Sequence, residues 1–207
     1  MKLYVARHGE TQWNIENKIS GRTDIPLTAK GLQQAQLLAE HAKGKGIEVI
    51  IASPLLRARQ TAQAVSDAIG VPIQIDERLI EMDFGTFEGT SRFGEEFQWI
   101  RAQMSTRFPG GESGFDVAYR VYSLLYEIKE KYADKNVLLV CHNCVSRMVR
   151  SFFVNMTTEE YGNYHAPNAQ LVEYEMQFLI DRVKNTRHCE PACGLVCNDV
   201  FFFGVIR

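Results

Sequence analysis

Five side chains that could do chemistry follow apolar runs of this sequence. Arg7 and His8 come at once after "LYVA", and His142 comes directly after "NVLLVC". Arg57 follows "VIIAS" within "SPLLR", and Glu81 follows "IQIDERL". Short apolar runs of this kind are typical of buried strands, and open α/β sheets bind ligands beyond the carboxyl ends of their strands. We therefore expect the five side chains to meet at one site.

These residue types together favour phosphoryl transfer. Arginine forks match the oxygens of a phosphoryl group, and a neutral imidazole can hold that group covalently. Neighbouring arginines disfavour the imidazolium form of His8, so we expect it to be neutral near pH 7. A carboxylic acid must protonate the leaving oxygen; Glu81 is the candidate and Asp83, two residues on, is its rival. Gly9 is expected to let the backbone approach the substrate. This chemistry needs neither a metal nor a cofactor.

The elements that position these residues alternate between strand and helix. "KLYVA", "VIIAS" (49–53), "IQIDERL" and "NVLLVC" (136–141) are the predicted strands. In the first helical stretch Thr28 is the predicted cap and Gly44 the end, with Leu32, Ala35, Ala39 and Ala42 on its buried face. "PLLRARQTAQAVSDAIG", "FDVAYRVYSLLYEIKEKY" and "CVSRMVRSFFVNM" are the other predicted helices. The sequence thus predicts an α/β fold of three layers, with a mostly parallel central sheet flanked by helices.

Length and composition favour one domain over residues 1–207. The chain is 45% hydrophobic with a net charge of −2 and no block of like charges, so neither nucleic acid nor a membrane is an expected partner. Residues 90–115 break the alternation and are interpreted as an inserted lid. Residues 188–207 form an atypical tail, whose His188, Cys189, Cys193 and Cys197 match no common zinc spacing.

Localisation is expected to be cytoplasmic. The first apolar run is too short for a signal peptide, and no stretch approaches the ~18 apolar residues that span a bilayer. Five cysteines in a chain of 207 residues do not indicate a disulfide framework.

The ordered motifs resemble those of the histidine phosphatase superfamily, the phosphoglycerate mutase-like enzymes. They are "RHGETQWN", "GRTDIPLTAKGLQQA", "SPLLRARQTA", "LIEMDFGTFEG", "GGES" and "VCHNCVSR", and the resemblance runs from residue 3 to about 175. It implies that His8 is phosphorylated in catalysis, that Glu81 donates the proton, and that Arg7, Arg57 and His142 complete the phosphate pocket. It also implies substrate contacts by Thr11, Asn14, Arg22 and Asn168, although Asn14 could serve only as a turn or cap residue.

Two departures from the family's pattern bear on the activity. Asn143 and Cys144 follow His142 where the family usually has glycine, which could narrow the pocket or change how His142 is held. Met82, Asp83 and Phe84 replace the Arg-His-Tyr run with which the mutases grip phosphoglycerate. The second departure favours a phosphatase. A phosphoglycerate mutase and a non-catalytic phosphate-binding regulatory module are the alternatives.

The substrate is expected to be small and phosphorylated, with its specificity in residues 90–115. Over residues 92–112 three arginines face three glutamates, a balance that shows no preference for highly charged substrates (Arg92, Arg101, Arg107, Glu95, Glu96 and Glu112). Phe93, Phe97, Trp99 and Phe108 either line a substrate pocket or, as we favour, pack the lid onto the body. A homodimer is compatible with the sequence.

Overall fold

The computed structural model describes residues 1–176, in which a five-stranded sheet lies between two layers of helices. The strands are β1 (Lys2–Arg7), β2 (Ile47–Ala52), β3 (Ile73–Ile75), β4 (Asn136–Cys141) and β5 (Leu171–Glu175). The helices are α1 (Gln12–Ile15), α2 (Ala29–Ala42), α3 (Leu56–Ile69), α4 (Glu95–Ala102), α5 (Gly114–Lys131), α6 (Asn143–Phe153) and α7 (Thr158–Asn163). The predicted atypical tail at residues 188–207, with its cysteines, lies outside the described residues.

The strand order is β3-β2-β4-β1-β5. The first four strands are parallel, and β5 pairs antiparallel with β1 at the edge. The predicted mostly parallel α/β sheet is therefore confirmed. Because β2, β4 and β1 are adjacent and parallel, their carboxyl ends at Ala52, Cys141 and Arg7 lie along one edge of the sheet.

The two faces of the sheet are covered by different helices. On β1, Leu3 and Val5 pack in the core cluster that includes α5 and α6, whereas Tyr4 and Ala6 pack in the cluster that includes α2 and α3. This alternation follows from the period of two along a strand. The buried strands and their covering helices give the carboxyl edge a rigid support.

The predicted buried face of α2 is wrong at one position. Ala35, Ala39 and Ala42 are buried, but Leu32 is 46% exposed and Leu38 is fully buried. Gly31 faces the body in this turn, and a Cβ there would lie only 2.2 Å from the Glu10 carbonyl oxygen. The close approach of the backbones leaves Leu32 on the outer side.

"IQIDERL" forms a shorter strand than predicted, since β3 covers three residues. Asp76 ends it because its side chain accepts a hydrogen bond from the Arg78 N–H and caps a 3₁₀ turn over Glu77–Leu79. Glu81 therefore follows this turn rather than the strand itself.

Residues 90–115 hold α4 between two loops, and their role as a lid stays a prediction. Phe97 and Phe108 are buried, and both make ring contacts with Phe84 at 5.4 and 5.1 Å. Phe93 and Trp99 are exposed. Two of the four aromatic side chains thus pack this segment onto the body. Within residues 1–176, no helix is both long and apolar enough to cross a membrane.

Candidate active site

His8 lies directly beyond β1 and is held on two sides. Its backbone N–H donates to the Cys141 carbonyl at 3.0 Å, which extends the pairing of β1 with β4, and its own carbonyl accepts from the Asn168 side chain at 2.7 Å. The ring Nδ1 lies 2.7 Å from the Gly9 carbonyl oxygen. Since a carbonyl can only accept, Nδ1 carries the proton, and Nε2 keeps a free lone pair in the neutral ring.

His142 and Arg57 pack beneath His8. The two histidine ring centroids are 5.2 Å apart. His142 caps α6 after β4; its Nδ1 accepts from Arg57 Nε at 3.3 Å, and its Nε2 lies 2.7 Å from Ser53 Oγ. Neither Arg57 nor His142 is among the residues that line the cavity described below. His142 is thus held firmly although Asn143, not glycine, follows it.

Arg57 also connects the loop after α1 to His142 through hydrogen bonds. Its two terminal nitrogens donate to the carbonyls of Gly21 and Thr23, at 2.6 and 2.9 Å. The side chain is fully buried. The guanidinium therefore contributes its charge and its hydrogen bonds from inside the protein.

Both histidines are neutral near pH 7. Burial lowers the pKa of His8 well below 6.5, and the charges of Arg57 and Arg7 lower it further. Burial and then Arg57 lower the pKa of His142 in the same way. Neighbouring arginines were the expected cause, but burial contributes more. Burial also lowers the pKa of Arg7, to about 10, so that side chain keeps its charge at pH 7.

A cavity of about 110 Å³ opens beside His8 and is lined by Arg7, Asn14 and Glu81 among others. Glu81 is buried, and its two carboxyl oxygens accept from the backbone N–H groups of Met82 and Cys144, at 2.9 and 3.2 Å. These bonds fix the carboxyl group against the cavity wall.

Asp83 does not line this cavity. Its carboxylate accepts from the Gly85 N–H at 2.8 Å and lies 3.5 Å from the Arg22 guanidinium. Of the two carboxyl groups weighed from the sequence, the structure places Glu81 beside His8.

Two polar atoms of the cavity residues are buried without a hydrogen-bond partner in residues 1–176. They are Nε of Arg7 and Oγ of Ser20. Buried polar groups are nearly always paired with protein, water or ligand atoms, so these two atoms are available to a ligand bound in the cavity. Both atoms can donate, and an anion with several oxygens would satisfy them. Another nitrogen of Arg7 donates to the Ala166 carbonyl at 3.1 Å and orients the guanidinium.

Of the remaining predicted site residues, Asn14 lines the cavity and Arg22 does not. Thr11 and Asn14 form a capping box on α1, but Asn14 also lines the cavity and its Nδ2 has no hydrogen bond within the described residues. Arg22 lies outside the cavity lining and pairs with Asp83 and Glu112. Asn168 acts on the His8 carbonyl, as described above.

Sequence reasoning missed a ring of basic and polar side chains around the cavity. These residues are Lys18, Ser20, Arg92, Arg101, Arg147 and His165. With Arg7, they give the lining five arginines or lysines against one carboxylate, Glu81. Arg147 lies three residues after Cys144 on α6, and residues at that spacing share a helix face. This periodicity was a signal that could have found Arg147.

The expected balance of arginines and glutamates in residues 92–112 is wrong at the cavity, because two of the arginines line it and the glutamates do not. Arg92 and Arg101 line the cavity, whereas Glu95 and Glu96 are exposed and are not part of the lining. Glu112 pairs with arginines elsewhere, at 3.1 Å from Arg120. Counting charges along the chain therefore averaged over side chains that line the cavity and side chains that do not.

Gly9 and Cys144 have structural roles. A Cβ on Gly9 would lie 2.4 Å from the Gly31 carbonyl oxygen, so the glycine allows the loop after β1 to contact α2, and its approach to substrate stays a prediction. Burial raises the pKa of the Cys144 thiol to about 12, so the thiol stays protonated. The described residues contain no group of three or more side chains able to hold a metal ion.

Comparison with known proteins places this geometry in context. Residues 3–179 match the model of the histidine phosphatase superfamily, branch 1. A protein of Enterobacter sp. strain 638 named probable phosphoglycerate mutase GpmB is 43% identical over 149 residues, which are 69% of each chain.

Solved structures with the same fold carry phosphatase names. The α-ribazole phosphatase of Shigella flexneri has a TM-score of 0.76 at 27% identity, over 86% of this chain and 91% of that one. A mycobacterial glucosyl-3-phosphoglycerate phosphatase in complex with VO3 has a TM-score of 0.74 at 26% identity, over 83% and 91% of the two chains.

Proposed function

This chain belongs to the histidine phosphatase superfamily, and from that membership we propose that it is a metal-independent phosphatase acting on a phosphomonoester through a phosphohistidine at His8. The observation that carries the proposal is the free Nε2 of a neutral, buried His8 beside the orphaned donors of Arg7 and Ser20. A neutral imidazole is the nucleophilic form, and the donors match phosphoryl oxygens.

In the first step, Nε2 of His8 attacks phosphorus and the bond to the leaving oxygen breaks. Arg7 and Ser20 donate to the phosphoryl oxygens, and Arg57 adds positive charge from below. Glu81 in its acid form protonates the leaving oxygen. In the second step, the Glu81 carboxylate takes a proton from the water that attacks the phosphohistidine, which releases phosphate and restores His8.

The proton on Nδ1 has a stabilising role throughout. The Gly9 carbonyl accepts from Nδ1–H and so supports the positive charge that the ring gains when Nε2 is phosphorylated. Asn168 holds the same residue through its carbonyl. His142, held by Ser53 and Arg57, is proposed to contribute to the phosphate pocket beneath the His8 ring.

The segment after Glu81 supports a phosphatase over a mutase. Met82 and Phe84 are buried in the core, so this segment brings no cation to the cavity where the mutases have the Arg-His-Tyr run. The phosphatase names of the solved neighbours agree with this choice.

Phosphoglycerate mutase activity is the second candidate, and one observation favours it. Arg92, Arg101 and Arg147 exceed what a single phosphoryl group needs and could bind the carboxylate of a phosphoglycerate. The relative from Enterobacter carries a mutase name.

A non-catalytic binding module is less well supported. Asn143 was the residue that favoured it, yet its side chain accepts from the Ala166 N–H at 3.1 Å and leaves His142 bonded to Arg57 and Ser53.

The test is hydrolysis of p-nitrophenyl phosphate in EDTA by the unmodified chain and by His8→Ala. We expect the unmodified chain to hydrolyse the ester in the presence of EDTA, and its phosphorylated form to be detectable when the reaction is stopped without acid. Both the hydrolysis and the phosphorylated form should be lost in His8→Ala. His41→Ala, at an exposed histidine of α2, is the matched control. Hydrolysis that persists in His8→Ala would overturn the proposal. Faster transfer from bisphosphoglycerate to phosphoglycerate than to water would favour the mutase.

A further inference from the structure

A large groove lies beside the catalytic cavity, between α4, α5, α6 and α7. Its volume is about 1110 Å³, at the upper end of the range for small-molecule sites. Three methionines and three aromatic side chains provide most of its apolar wall: Met104, Met148, Met156, Phe115, Tyr122 and Tyr161. Methionine is flexible and polarisable, so such a wall adapts to apolar ligands of different shape.

The groove and the catalytic cavity share part of their walls along α4. Gln98 and Arg101 line both spaces. Arg147, which lines the cavity, also lies near the groove. Its guanidinium is 6.0 Å from the ring centroid of Tyr161, which lines the groove. A ligand with its phosphoryl group at His8 would therefore pass Arg101 to reach the apolar wall.

Arg101 marks the junction between the polar and the apolar spaces. It is half-buried, and it has no hydrogen bond or ion pair in the part of the chain that the structure describes. Burial lowers the pKa of its guanidinium, as do the nearby charges of Arg147 and Arg92. A half-buried cation without a partner is costly, and the negative charge of a phosphoryl group bound in the cavity, which Arg101 also lines, would offset that cost.

The small size of the catalytic cavity separates the two parts of a ligand. Its volume is about 110 Å³, against about 1110 Å³ for the groove, so a leaving group of more than a few atoms must extend outside it. Gln98 and Arg101 line both spaces, and the wall of the groove beyond them is mostly apolar. The side of the leaving group next to phosphorus meets cations, and its far end meets methionine and aromatic side chains.

We propose that the substrate is an amphiphilic phosphomonoester, whose apolar alkyl, acyl or aryl body lies in the groove while its phosphoryl group reacts at His8. This inference rests on the proposed phosphatase function and names the class of its leaving group. The occupant is the substrate itself because the groove shares its wall with the reacting cavity. A protein partner bound in the groove would show no dependence on the substrate's chain length.

The test compares n-alkyl phosphates from ethyl to decyl, each below its micelle concentration. Burial of one methylene corresponds to about a fourfold gain, so kcat/KM should rise two- to fourfold per methylene until the groove is filled. Ala118→Phe, which adds a ring within the groove, should lower the ratio of kcat/KM for decyl over ethyl phosphate at least tenfold. Ala68→Phe is the matched control, since Ala68 is equally half-buried but packs on the other face of the sheet.

The outcomes separate this inference from the proposed function. Hydrolysis of ethyl and decyl phosphate with equal kcat/KM would overturn the inference and leave the phosphatase intact. Absence of all hydrolysis would count against the phosphatase, and calorimetry with decylphosphonate and ethylphosphonate would then test the groove alone. Tighter binding of decylphosphonate supports the inference, and equal binding overturns it. If Ala118→Phe does not fold, the binding of the two phosphonates to the unmodified chain still tests whether the groove holds the apolar body of the ligand.

Discussion

At the scale of single residues, the protonation of His8 decides whether the site can act. The Gly9 carbonyl fixes the proton on Nδ1, and burial keeps the second proton off Nε2. We expect the His8 ring to stay neutral as the pH falls through 6.5, because its pKa is lowered well below that value. Nitrogen NMR of a histidine-labelled chain, with His8→Gln for assignment, measures this directly.

Arg57→Gln extends the same prediction. Removing its charge should raise the pKa of His8, but only part of the way to 6.5, because burial is the larger cause. A His8 signal in the unmodified chain that titrates at or above pH 6.5 would contradict the assignment of His8 as a neutral nucleophile.

The dependence of the rate on the leaving group distinguishes Glu81 from Asp83 as the proton donor. Glu81→Gln should lower kcat/KM for an alkyl phosphate by about 10²- to 10⁴-fold, since an alkoxide leaves only when it is protonated. The loss should be far smaller with 2,4-dinitrophenyl phosphate, whose leaving oxygen needs no proton. Asp83→Asn is the matched control, because Asp83 faces Arg22 outside the cavity. A leaving-group-dependent loss in Asp83→Asn instead would move the role to Asp83.

The sequence identified the residues that stand next to strand ends and missed those that reach the site from elsewhere. Arg7, His8 and Glu81 follow or lie near strand ends, and all three line the cavity. Ser20 and Arg101 come from a loop and from the inserted helix α4, whose direction depends on tertiary packing. Local periodicity does not contain that information, so charge counting failed for the segment 92–112.

At the scale of elements, the close contact between α2 and the loop after β1 depends on two glycines, Gly9 and Gly31. A Cβ on Gly31 would lie 2.2 Å from the Glu10 carbonyl oxygen, a backbone atom that cannot rotate away. We expect Gly31→Ala to lower the free energy of unfolding by about 1–3 kcal/mol through overpacking. Urea denaturation measures the change.

Gly162→Ala is the matched control for this substitution. Gly162 is also helical, in α7, and a Cβ there would meet nothing within 4 Å. Alanine should leave the free energy of unfolding unchanged or raise it by up to about 1 kcal/mol, since glycine is the poorer helix former. Equal losses in the two variants would show that helix propensity, rather than the contact with the Glu10 backbone, governs this position.

Elements with a strong pattern were predicted well, and so was the Thr28 cap of α2, but the turn set by the Asp76 cap was not. The run "NVLLVC" coincides with β4, and Gly70 ends α3 in the left-handed conformation with φ of 73°. The 3₁₀ turn after β3 was missed because the Asp76 cap competes with strand continuation over "IQIDERL". A local hydrogen bond decided an outcome that hydrophobic periodicity left open.

At the scale of the whole molecule, the buried histidines of the site couple its chemistry to stability. The pKa values of His8 and His142 lie well below 6.5 in the folded protein, whereas both histidines titrate near 6.5 when unfolded. The unfolded chain therefore binds more protons below pH 6.5. The stabilisation is fully present above that pH and decreases as the pH falls towards the folded pKa values.

Partial burial also lowers the pKa of His165, to about 4, so three histidines contribute to this dependence. We expect the free energy of unfolding to decrease by up to about 4 kcal/mol per pH unit between pH 6.0 and 5.0, because each of the three groups contributes at most about 1.4 kcal/mol per unit. The more exposed His165 contributes less than the other two, since solvent screens its interactions. Urea denaturation across this range measures the slope, and the range lies above that in which most carboxylates titrate. His8→Gln removes one of the three groups and should reduce the slope by at least about a third. His41→Gln changes an exposed histidine and is the control. A stability that stays constant from pH 6.5 to 5.0 would mean that His8 and His142 accept protons as readily in the folded protein as in the unfolded chain. The neutral nucleophile that the phosphatase mechanism requires would then lack its physical basis.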